Sequence, residues 1–217
     1  ATRPESSAGT DEMWDNAEKD LTEVLKKKKI KAGDKKGDGA FYGPKIDVHI
    51  KDSQNREWQL ATVQLDFHQP EAFKLEYVDS DGTLKRPVMI HRAIFGSFER
   101  FIAILTEHYQ GAFPLWLAPV QVVVIPIADR HAKHAVLLVQ NLKDEGIRAQ
   151  LDDRSESMQA KIRDATLQKV PYMGIIGDKE MTDGNELSLR TRKGDDLGHM
   201  SLSSFIKTLK DEIASKK

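Results

Sequence analysis

Apolar residues in the first half of the chain follow the spacings of a helix, three strands and a second helix. Trp14, Leu21 and Leu25 recur at helical spacing, which predicts a helix over residues 11–29. Apolar and polar residues then alternate in KIDVHIKD and in EWQLATVQLDF, as they do in half-buried strands. Since only SQNR separates these strands, they are expected to pair antiparallel. A third strand, RPVMIHRA, leads into a helix predicted over residues 98–109.

The same pattern indicates how these helices end and which faces they bury. Asp11 is expected to cap the first helix, and the lysine run at residues 26–29 is typical of a solvated C-terminal end favoured by the helix dipole. The second helix carries an apolar stripe that is expected to face the core. The stripe consists of Phe98, Ile102, Leu105 and Tyr109.

After GAFPLWLAP the pattern becomes that of an α/β domain. VQVVVIPI is a continuous apolar run, typical of a strand covered on both faces of its sheet. A helix follows with Ala135, Leu138, Val139 and Leu142 on one face, and Gly146 is its expected C-terminal cap. Strand and helix patterns then alternate through IRAQLDD, SMQAKIRDATLQKV, PYMGIIG, ELSLRTR and LSSFIKTLKDEIA. This alternation predicts a parallel or mixed sheet.

The change of pattern near residues 114–119 predicts a domain boundary. The two domains would then span residues 1–116 and 117–217. We expect the second domain to fold independently of the first.

Composition narrows the class of protein. Lys and Arg number 33 and Asp and Glu 34, for a formal charge of −1, which neither predicts nor excludes binding to nucleic acid. The absence of cysteine excludes disulfides and thiolate metal ligands from this chain. No apolar run approaches the ~20 residues that span a bilayer, and the polar, acidic start does not resemble a signal peptide. A soluble, cytoplasmic protein without membrane contact is expected, and the missing initial Met suggests a processed chain, a fragment or a trimmed one.

Two stretches of the first domain place polar groups beside apolar strands. In FYGPKID, Gly43 and Pro44 form a turn that could aim the Tyr42 hydroxyl and the Lys45 ammonium into one cleft. The alternative is an ordinary turn with one exposed lysine. In WQLATVQLDF the polar residues are Gln59, Thr62 and Gln64. Strict alternation puts Gln59 on the face opposite Thr62 and Gln64. All three can therefore share a cleft only if a bulge intervenes near residues 60–61. The alternative is that one face of the strand is exposed to solvent.

The third stretch, HRAIFGSFER, joins a strand to a helix. His91 shares a strand face with Met89, and a lone histidine is more often structural than a metal ligand. Arg100 lies in the first helical turn, where a cation opposes the helix dipole unless an anion or a planar partner compensates. Glu99 beside it is favourable at that end.

In this order, FYGPKID, TVQLDF and MIHRAIFGSFER closely resemble the catalytic domain of the threonyl-tRNA synthetases, which are class II aminoacyl-tRNA synthetases. GSFER, residues 96–100, resembles the third signature motif of that class. WLAPVQVVVIPI resembles the passage into the anticodon-binding domain, and VPYMGIIGDKE and LSLRTRKGDDLG resemble its later strands. The resemblance implies an α+β, antiparallel-sheet part of a catalytic domain in residues 1–116, followed by a mixed-sheet α/β anticodon-binding domain in 117–217.

The resemblance also implies an activity, that of a threonine–tRNA ligase. Such a ligase converts threonine and ATP, the latter with Mg²⁺, to threonyl-adenylate and pyrophosphate, and passes the threonyl group to the 3′ end of threonine tRNA. By resemblance, Arg100 and Lys45 are catalytic and His91 is a zinc ligand. Residues implied to bind substrates are Tyr42 and Gln64 for threonine, and Gln59, Thr62, Ser97 and Arg100 for the nucleotide. Residues implied to contact the anticodon are Arg163, Lys169, Glu180 and Arg190.

Each of these roles has a physical basis or a simpler alternative. A zinc ion with three protein ligands keeps positions open for the amino and hydroxyl groups of threonine, and a site that demands a hydroxyl rejects valine. Arg190 is expected on the outward strand face beside Arg192, where unstacked bases can be read. The alternative is a basic strand edge that discourages aggregation.

The chain also departs from the family pattern. It lacks the first two class II motifs, including a second arginine that binds ATP, and it offers one of the three zinc ligands. We therefore expect that this chain alone neither aminoacylates tRNA nor binds zinc tightly, and that the full-length enzyme is a homodimer. The competing interpretation is a non-catalytic, synthetase-derived module that binds tRNA.

Overall fold

The computed structural model describes residues 1–182 and 186–216. The chain divides into two compact units, Ala1–Leu105 and Thr106–Lys217. The predicted boundary at 116/117 stays a prediction. Among the described residues, no helix is long and apolar enough to cross a membrane.

The first unit is built on a small antiparallel sheet. Its strands lie in the order β1-β2-β5, while β3 and β4 form a separate two-stranded ribbon. The elements are α1 (Asp11–Lys27), β1 (Lys45–Lys51), β2 (Glu57–Asp66), α2 (His68–Ala72), β3 (Tyr77–Val78), β4 (Leu84–Lys85), β5 (Met89–Ala93) and α3 (Phe98–Tyr109), the last of which continues into the second unit.

The first helix forms as the periodicity predicts, with a different cap. Thr10, not Asp11, is the N-cap: its backbone is extended and its hydroxyl accepts a hydrogen bond from the Met13 amide. Asp11 instead begins the helix, where its charge favours the dipole. The buried face holds Trp14, whose indole N–H donates to the Ala8 carbonyl at 2.8 Å. The indole therefore ties the start of the chain to the helix.

The bulge that the polar pattern requires is present in β2. Val48 pairs with Ala61 and His49 pairs with Gln59, so Leu60 is the extra residue of the bulge. The bulge resets the alternation. As a result the Gln59 amide reaches Asp47 on β1, donating to its carboxylate at 2.8 Å. The condition for the three polar residues to share a sheet face, a bulge near residues 60–61, is thus met.

The predicted apolar stripe of α3 is wrong at its first two positions, while Leu105 and Tyr109 are half-buried. Phe98 is 83% exposed and Ile102 57% exposed, whereas the buried residue is Ile104. Phe101 also stacks on Phe95, with ring centroids 4.4 Å apart. The period of 3.6 residues was correct, but a neighbouring stripe of the same helix faces the protein.

The second unit is a mixed sheet in the order β10-β9-β8-β6-β7. Strands β6, β7 and β8 are parallel, and β9 and β10 are antiparallel to their neighbours. Strand β10 and the short α6 were not predicted. The elements are β6 (Val122–Pro126), α4 (Asp129–Asp144), β7 (Ala149–Leu151), α5 (Met158–Leu167), β8 (Tyr172–Ile176), α6 (Asp178–Thr182), β9 (Glu186–Thr191), β10 (Asp196–Ser201) and α7 (Leu202–Ser215).

Strand β6 has apolar clusters on both of its faces, as its continuous apolar run predicts. Val122 and Val124 belong to a cluster that includes the buried residues of α4 and α7. Val123 and Ile125 belong to a second cluster, on the α5 side, with Ala165. All five residues of the strand are buried. Burial on both faces explains why this strand does not alternate between apolar and polar residues.

Candidate functional site

The sheet of the first unit carries linked polar side chains on one face. The Tyr42 hydroxyl donates to Gln64 Oε1 at 2.6 Å. Gln64 pairs across the sheet with His91, and the rings of Tyr42 and His91 lie edge to face with centroids 5.6 Å apart. Three residues predicted from three separate motifs are therefore brought together on one sheet face.

A buried carboxylate holds the imidazole of His91. Asp66 is fully buried; its Oδ1 accepts the backbone amides of His68 and Gln69 at 2.9 and 3.0 Å, and its Oδ2 accepts from His91 Nε2 at 2.8 Å. This bond assigns the proton to Nε2, which leaves Nδ1 as the nitrogen for a metal. Within residues 1–182 and 186–216, no three His, Cys, Asp or Glu side chains are grouped for a metal ion. His91 thus fits a single zinc ligand, and these residues do not form a complete zinc site.

Lys45 belongs to a second group, centred on Asp47. The Lys45 ammonium lies 2.8 Å from Asp47 Oδ2, and the Gln59 amide donates to Asp47 Oδ1 at 2.8 Å. Thr62 faces Asp47 across the sheet. Burial raises the pKa of the Asp47 carboxyl, but the adjacent Lys45 ammonium and Thr62 hydroxyl outweigh it and leave the pKa below its ordinary value. Asp47 therefore stays charged and fixes the lysine.

Glycine at position 43 allows the Tyr42 turn to sit on the end of β2. A Cβ at Gly43 would lie 1.9 Å from the carbonyl oxygen of Leu65. The Leu65 amide also donates to the Pro44 carbonyl at 3.1 Å. No larger residue fits this approach without moving the backbone, so the glycine places Tyr42 beside Gln64.

Arg100 has a planar partner of the kind that its position requires, and a hydrogen bond to a backbone carbonyl besides. Its Nη1 donates to the Gln59 carbonyl at 2.9 Å, and its guanidinium lies over the Trp58 ring, 5.6 Å from the centroid. The backbone amide of Arg100 donates to the Ser97 hydroxyl at 3.3 Å, which makes Ser97 a helix cap. Arg100 is thereby held at the bulge, next to one of the predicted nucleotide-binding residues.

Sequence reasoning missed two carboxylates of this face, Asp47 and Asp66, and also the ring of Trp58, which the register places beside Ile50 on the opposite sheet face. Asp47 could have been found, because alternation places it opposite Thr62. The role of Asp66 depends on a partner 25 residues away, and no local pattern indicates it.

In the second unit, the strand register places Arg190 on the α5 side of the sheet. Arg190 pairs with Met173, which in turn pairs with Val123. Met173 and Val123 both pack in the cluster with Ala165 of α5. Because directly paired residues share a face, Arg190 lies on that face too. Its Nη2 is 3.5 Å from Asp196 Oδ2.

The other predicted anticodon residues lie on α5, just after it, and on α6. Arg163 is exposed on α5, and its Nη2 donates to Asp164 at 3.4 Å. Lys169 follows α5 with φ +60° and is exposed. Glu180 lies on α6 and is 5% exposed. Arg163 and Lys169 are open to a ligand, whereas Glu180 is buried.

Comparison with known proteins places both units in synthetases. Residues 4–109 match the family described as the tRNA synthetase class II core domain (G, H, P, S and T), and residues 121–212 match the anticodon binding domain. The threonine–tRNA ligases of Caldanaerobacter subterraneus subsp. tengcongensis and Desulforamulus reducens are each 54% identical over 216 residues, which is all of this chain but 33% and 34% of theirs. The chain thus spans about a third of the length of these curated relatives.

A solved structure agrees with these matches. The RNA binding domain of threonyl-tRNA synthetase from Cryptosporidium parvum Iowa II is 36% identical with a TM-score of 0.88, and the match covers 97% of this chain and 53% of that one. The predicted fold class, an antiparallel sheet followed by a mixed α/β sheet, is confirmed. The chain belongs to the threonyl-tRNA synthetase family and joins part of a class II core domain to an anticodon-binding domain.

Proposed function

We propose that the chain is part of a threonine–tRNA ligase that activates threonine with ATP and transfers it to the 3′ end of threonine tRNA. The observation that carries the proposal is the polar face of the β1-β2-β5 sheet. There, the Tyr42–Gln64–His91 group and the Lys45–Asp47–Gln59 group lie side by side on one sheet. A purely structural sheet has no need to hold so many oriented polar groups in place.

Each group suits one part of the reaction. Tyr42 and Gln64 bind the threonine, and the Lys45 ammonium neutralises charge at the reacting carboxylate and phosphate. Arg100 binds ATP, because a guanidinium both stacks and pairs with phosphate. The nucleotide-binding group also includes Gln59, Thr62 and Ser97. Adenylate formation needs no covalent enzyme intermediate, so positioning and charge stabilisation supply the rate.

His91 takes the part of one zinc ligand in the complete site. When bound, zinc supplies a Lewis-acidic centre with open positions for substrate. Asp66 holds the imidazole through Nε2 and presents Nδ1. The remaining ligands and the second ATP arginine come from outside these residues, so the chain alone is inactive.

The second unit binds threonine tRNA at its anticodon, on the face that carries Arg190, with Arg163 and Lys169 alongside. The complete ligase acts in the cytoplasm as a homodimer. The anticodon binding domain match and the relatives' names support tRNA as the partner.

A chimera tests the catalytic part. The chain replaces the matching segment of the Caldanaerobacter ligase, and threonine-dependent ATP–pyrophosphate exchange is measured. We expect exchange in the chimera and none from the 217-residue chain alone. Arg100→Ala should lower kcat/KM by about 10²–10³-fold. Arg92→Ala, on the opposite face of β5, is the matched control and should stay within about twofold.

The result also separates the competing function. A chimera that folds and binds tRNA but catalyses no exchange would favour a non-catalytic tRNA-binding module. Exchange that is unchanged by Arg100→Ala would contradict the assignment of that arginine.

A further inference from the structure

Positive charge in the first unit is concentrated in one short segment of its surface. Residues 26–36 hold seven lysines and one acid, Asp34, for a charge of +6 against −1 for the whole chain, so the remaining residues carry −7. The lysines lie at the end of α1 and in the loop that follows, and all are exposed. This lysine cluster consists of Lys26, Lys27, Lys28, Lys29, Lys31, Lys35 and Lys36.

The helix dipole accounts for only part of the lysine cluster. Helix α1 ends at Lys27, and the favourable effect of the dipole on cations falls off within the last turn. Lys31, Lys35 and Lys36 lie beyond that turn. The ion pairs of the described residues include none of the seven lysines, so their charges repel one another without compensation. An anionic partner relieves this repulsion when it binds.

The loop that carries the later lysines is held in place by the start of the chain. The Thr2 amide donates to the Lys35 carbonyl at 3.0 Å. The Gly37 amide donates to the Thr2 hydroxyl at 3.2 Å, and the Gly39 amide donates to the Thr2 carbonyl at 2.7 Å. Lysines on a fixed backbone lose less conformational entropy on binding than lysines on a disordered tail. The loop is therefore suited to present its charges to a partner.

One end of the lysine cluster adjoins the polar face of the β1-β2-β5 sheet. Lys35 Nζ lies 3.5 Å from His49 Nε2. His49 alternates along β1 with Asp47 and Lys45, so it lies on their face. Asp38, which follows the cluster, lies 3.7 Å from the Lys45 ammonium. In the transfer step the 3′ end of the tRNA reaches this face, and the RNA that arrives with it is the acceptor arm.

We propose that the lysine cluster binds the phosphate backbone of the acceptor arm of threonine tRNA. The inference rests on the proposed function of the first unit. Lysine ammonium groups bind phosphates as point charges and carry no sequence information themselves. Each phosphate that they neutralise releases counterions, so the contact is strong at low salt and weakens as salt rises. The lysine cluster thus holds the 3′ end near the reaction site, and contacts to bases elsewhere select the tRNA.

The experiment uses the full 217-residue chain and complete threonine tRNA, with affinity measured between about 50 and 200 mM salt. The test variant combines Lys28→Gln, Lys31→Gln and Lys35→Gln. It should bind at least about tenfold more weakly at the lowest salt, and the slope of log K against log salt should become shallower by about 2–3. The matched control replaces three exposed lysines of α4 and α7 and should bind within about threefold of wild type. Its changes are Lys133→Gln, Lys143→Gln and Lys207→Gln.

Ethylation interference on the same tRNA locates the contact. Ethyl groups on acceptor-arm phosphates should weaken binding to the wild-type chain and have little effect on binding to the test variant, because its lysines no longer contact those phosphates. An identical interference pattern for the wild type and the test variant would contradict the proposal.

The outcomes separate this inference from the function beneath it. Equal affinities of the test and control variants, both shown to be folded by thermal melting, would overturn the inference and leave tRNA binding in place. Vesicles of phosphatidylcholine with about 30% phosphatidylserine offer a different polyanion. If the test variant lost binding to the vesicles but not to tRNA, the lysine cluster would be a membrane contact and the inference overturned. Absence of tRNA binding by the wild-type chain would also overturn it, whereas ATP–pyrophosphate exchange in the chimera, which needs no tRNA, judges the ligase function separately.

Discussion

The two units of the chain contrast in how they use apolar residues. Among the described residues, the first unit buries only four apolar side chains, whereas the second buries twenty-two. The first unit also exposes fifteen large apolar residues against six in the second. Burial of apolar area is the main source of stability, so the second unit has a complete core and the first does not.

The two sheets differ in the same way. The face of the β1-β2-β5 sheet opposite the polar groups carries Val48 and Ile90, which are 50% and 63% exposed. Strand β6 is apolar on both faces and has helices on both sides. The β1-β2-β5 sheet instead uses one face for the linked polar groups around Tyr42 and Asp47, which stabilise less than an apolar layer of the same area. The unit that holds the candidate reaction site is therefore expected to be the less stable one.

Separating the two units should give the largest effect. A fragment of residues 110–217 should unfold cooperatively, and residues 1–105 alone should show no cooperative transition; thermal melting followed by circular dichroism measures both. A fragment of 117–217, cut at the predicted boundary, loses Leu115, whose side chain is buried and whose carbonyl accepts from Gln121. It should be about 2–5 kcal/mol less stable than 110–217. A cooperative transition for 1–105 would break the comparison.

The next largest effect is expected from truncating one buried side chain in the core of the second unit. Leu138→Ala should lower the free energy of unfolding by about 3 kcal/mol, because it leaves a cavity in a fully buried position. Leu137→Ala is the matched control on the same helix, since Leu137 is largely exposed, and should change it by less than about 0.5 kcal/mol. Urea titration of both variants measures the difference. Similar values for the two would contradict the assignment of the core.

A substitution at a glycine tests the comparison within the first unit. Gly43→Ala should lower the free energy of unfolding by about 1–3 kcal/mol, because the alanine Cβ would overlap the Leu65 carbonyl. In the chimera it should also lower the affinity for threonine, since Tyr42 moves with the turn. Gly33→Ala meets no atom within 4 Å and should be close to neutral in both measurements.

An acidic pH effect in the second unit should be the smallest. Hydrogen bonds from Arg130 and His131 hold the pKa of the Asp178 carboxyl well below its ordinary value. The stabilisation that the Asp178 carboxylate gives the folded state is therefore complete above the carboxyl pKa of the unfolded state, near 4. It is lost as the pH falls through the lower, folded-state pKa. Urea midpoints between pH 5 and pH 2 should fall less steeply in Asp178→Asn than in the wild type. Asp211→Asn, at an exposed position of α7, should keep the wild-type slope.

The sequence predicts those features that depend on local spacing. The bulge at Leu60 was predictable because three polar residues in one strand violate alternation. The buried face of α3 was not, since the period does not say which stripe meets a small core. Strand β10 escaped prediction because a register shift between Asp196 and Gly198 interrupts its alternation.

The residues of the candidate site likewise include some that sequence motifs indicate and some that they do not. Tyr42, Gln64 and His91 were found through motifs, and their grouping follows from the strand register. The carboxylates that orient them could not be assigned, because each acts through a partner on another strand. Likewise, the burial of Glu180 depends on contacts with Gly177, just before α6, and with His199 on β10, which no sequence pattern indicates.

The central claim is that the first unit serves threonine activation and the second serves tRNA recognition. The most direct test measures ATP–pyrophosphate exchange and tRNA aminoacylation on the same chimera with Arg100→Ala and Arg190→Ala. We predict that Arg100→Ala lowers kcat/KM for both activities by about 10²–10³-fold, and that Arg190→Ala leaves exchange intact while lowering kcat/KM for tRNA at least tenfold. Loss of exchange in Arg190→Ala, or full exchange in Arg100→Ala, would contradict this division of roles.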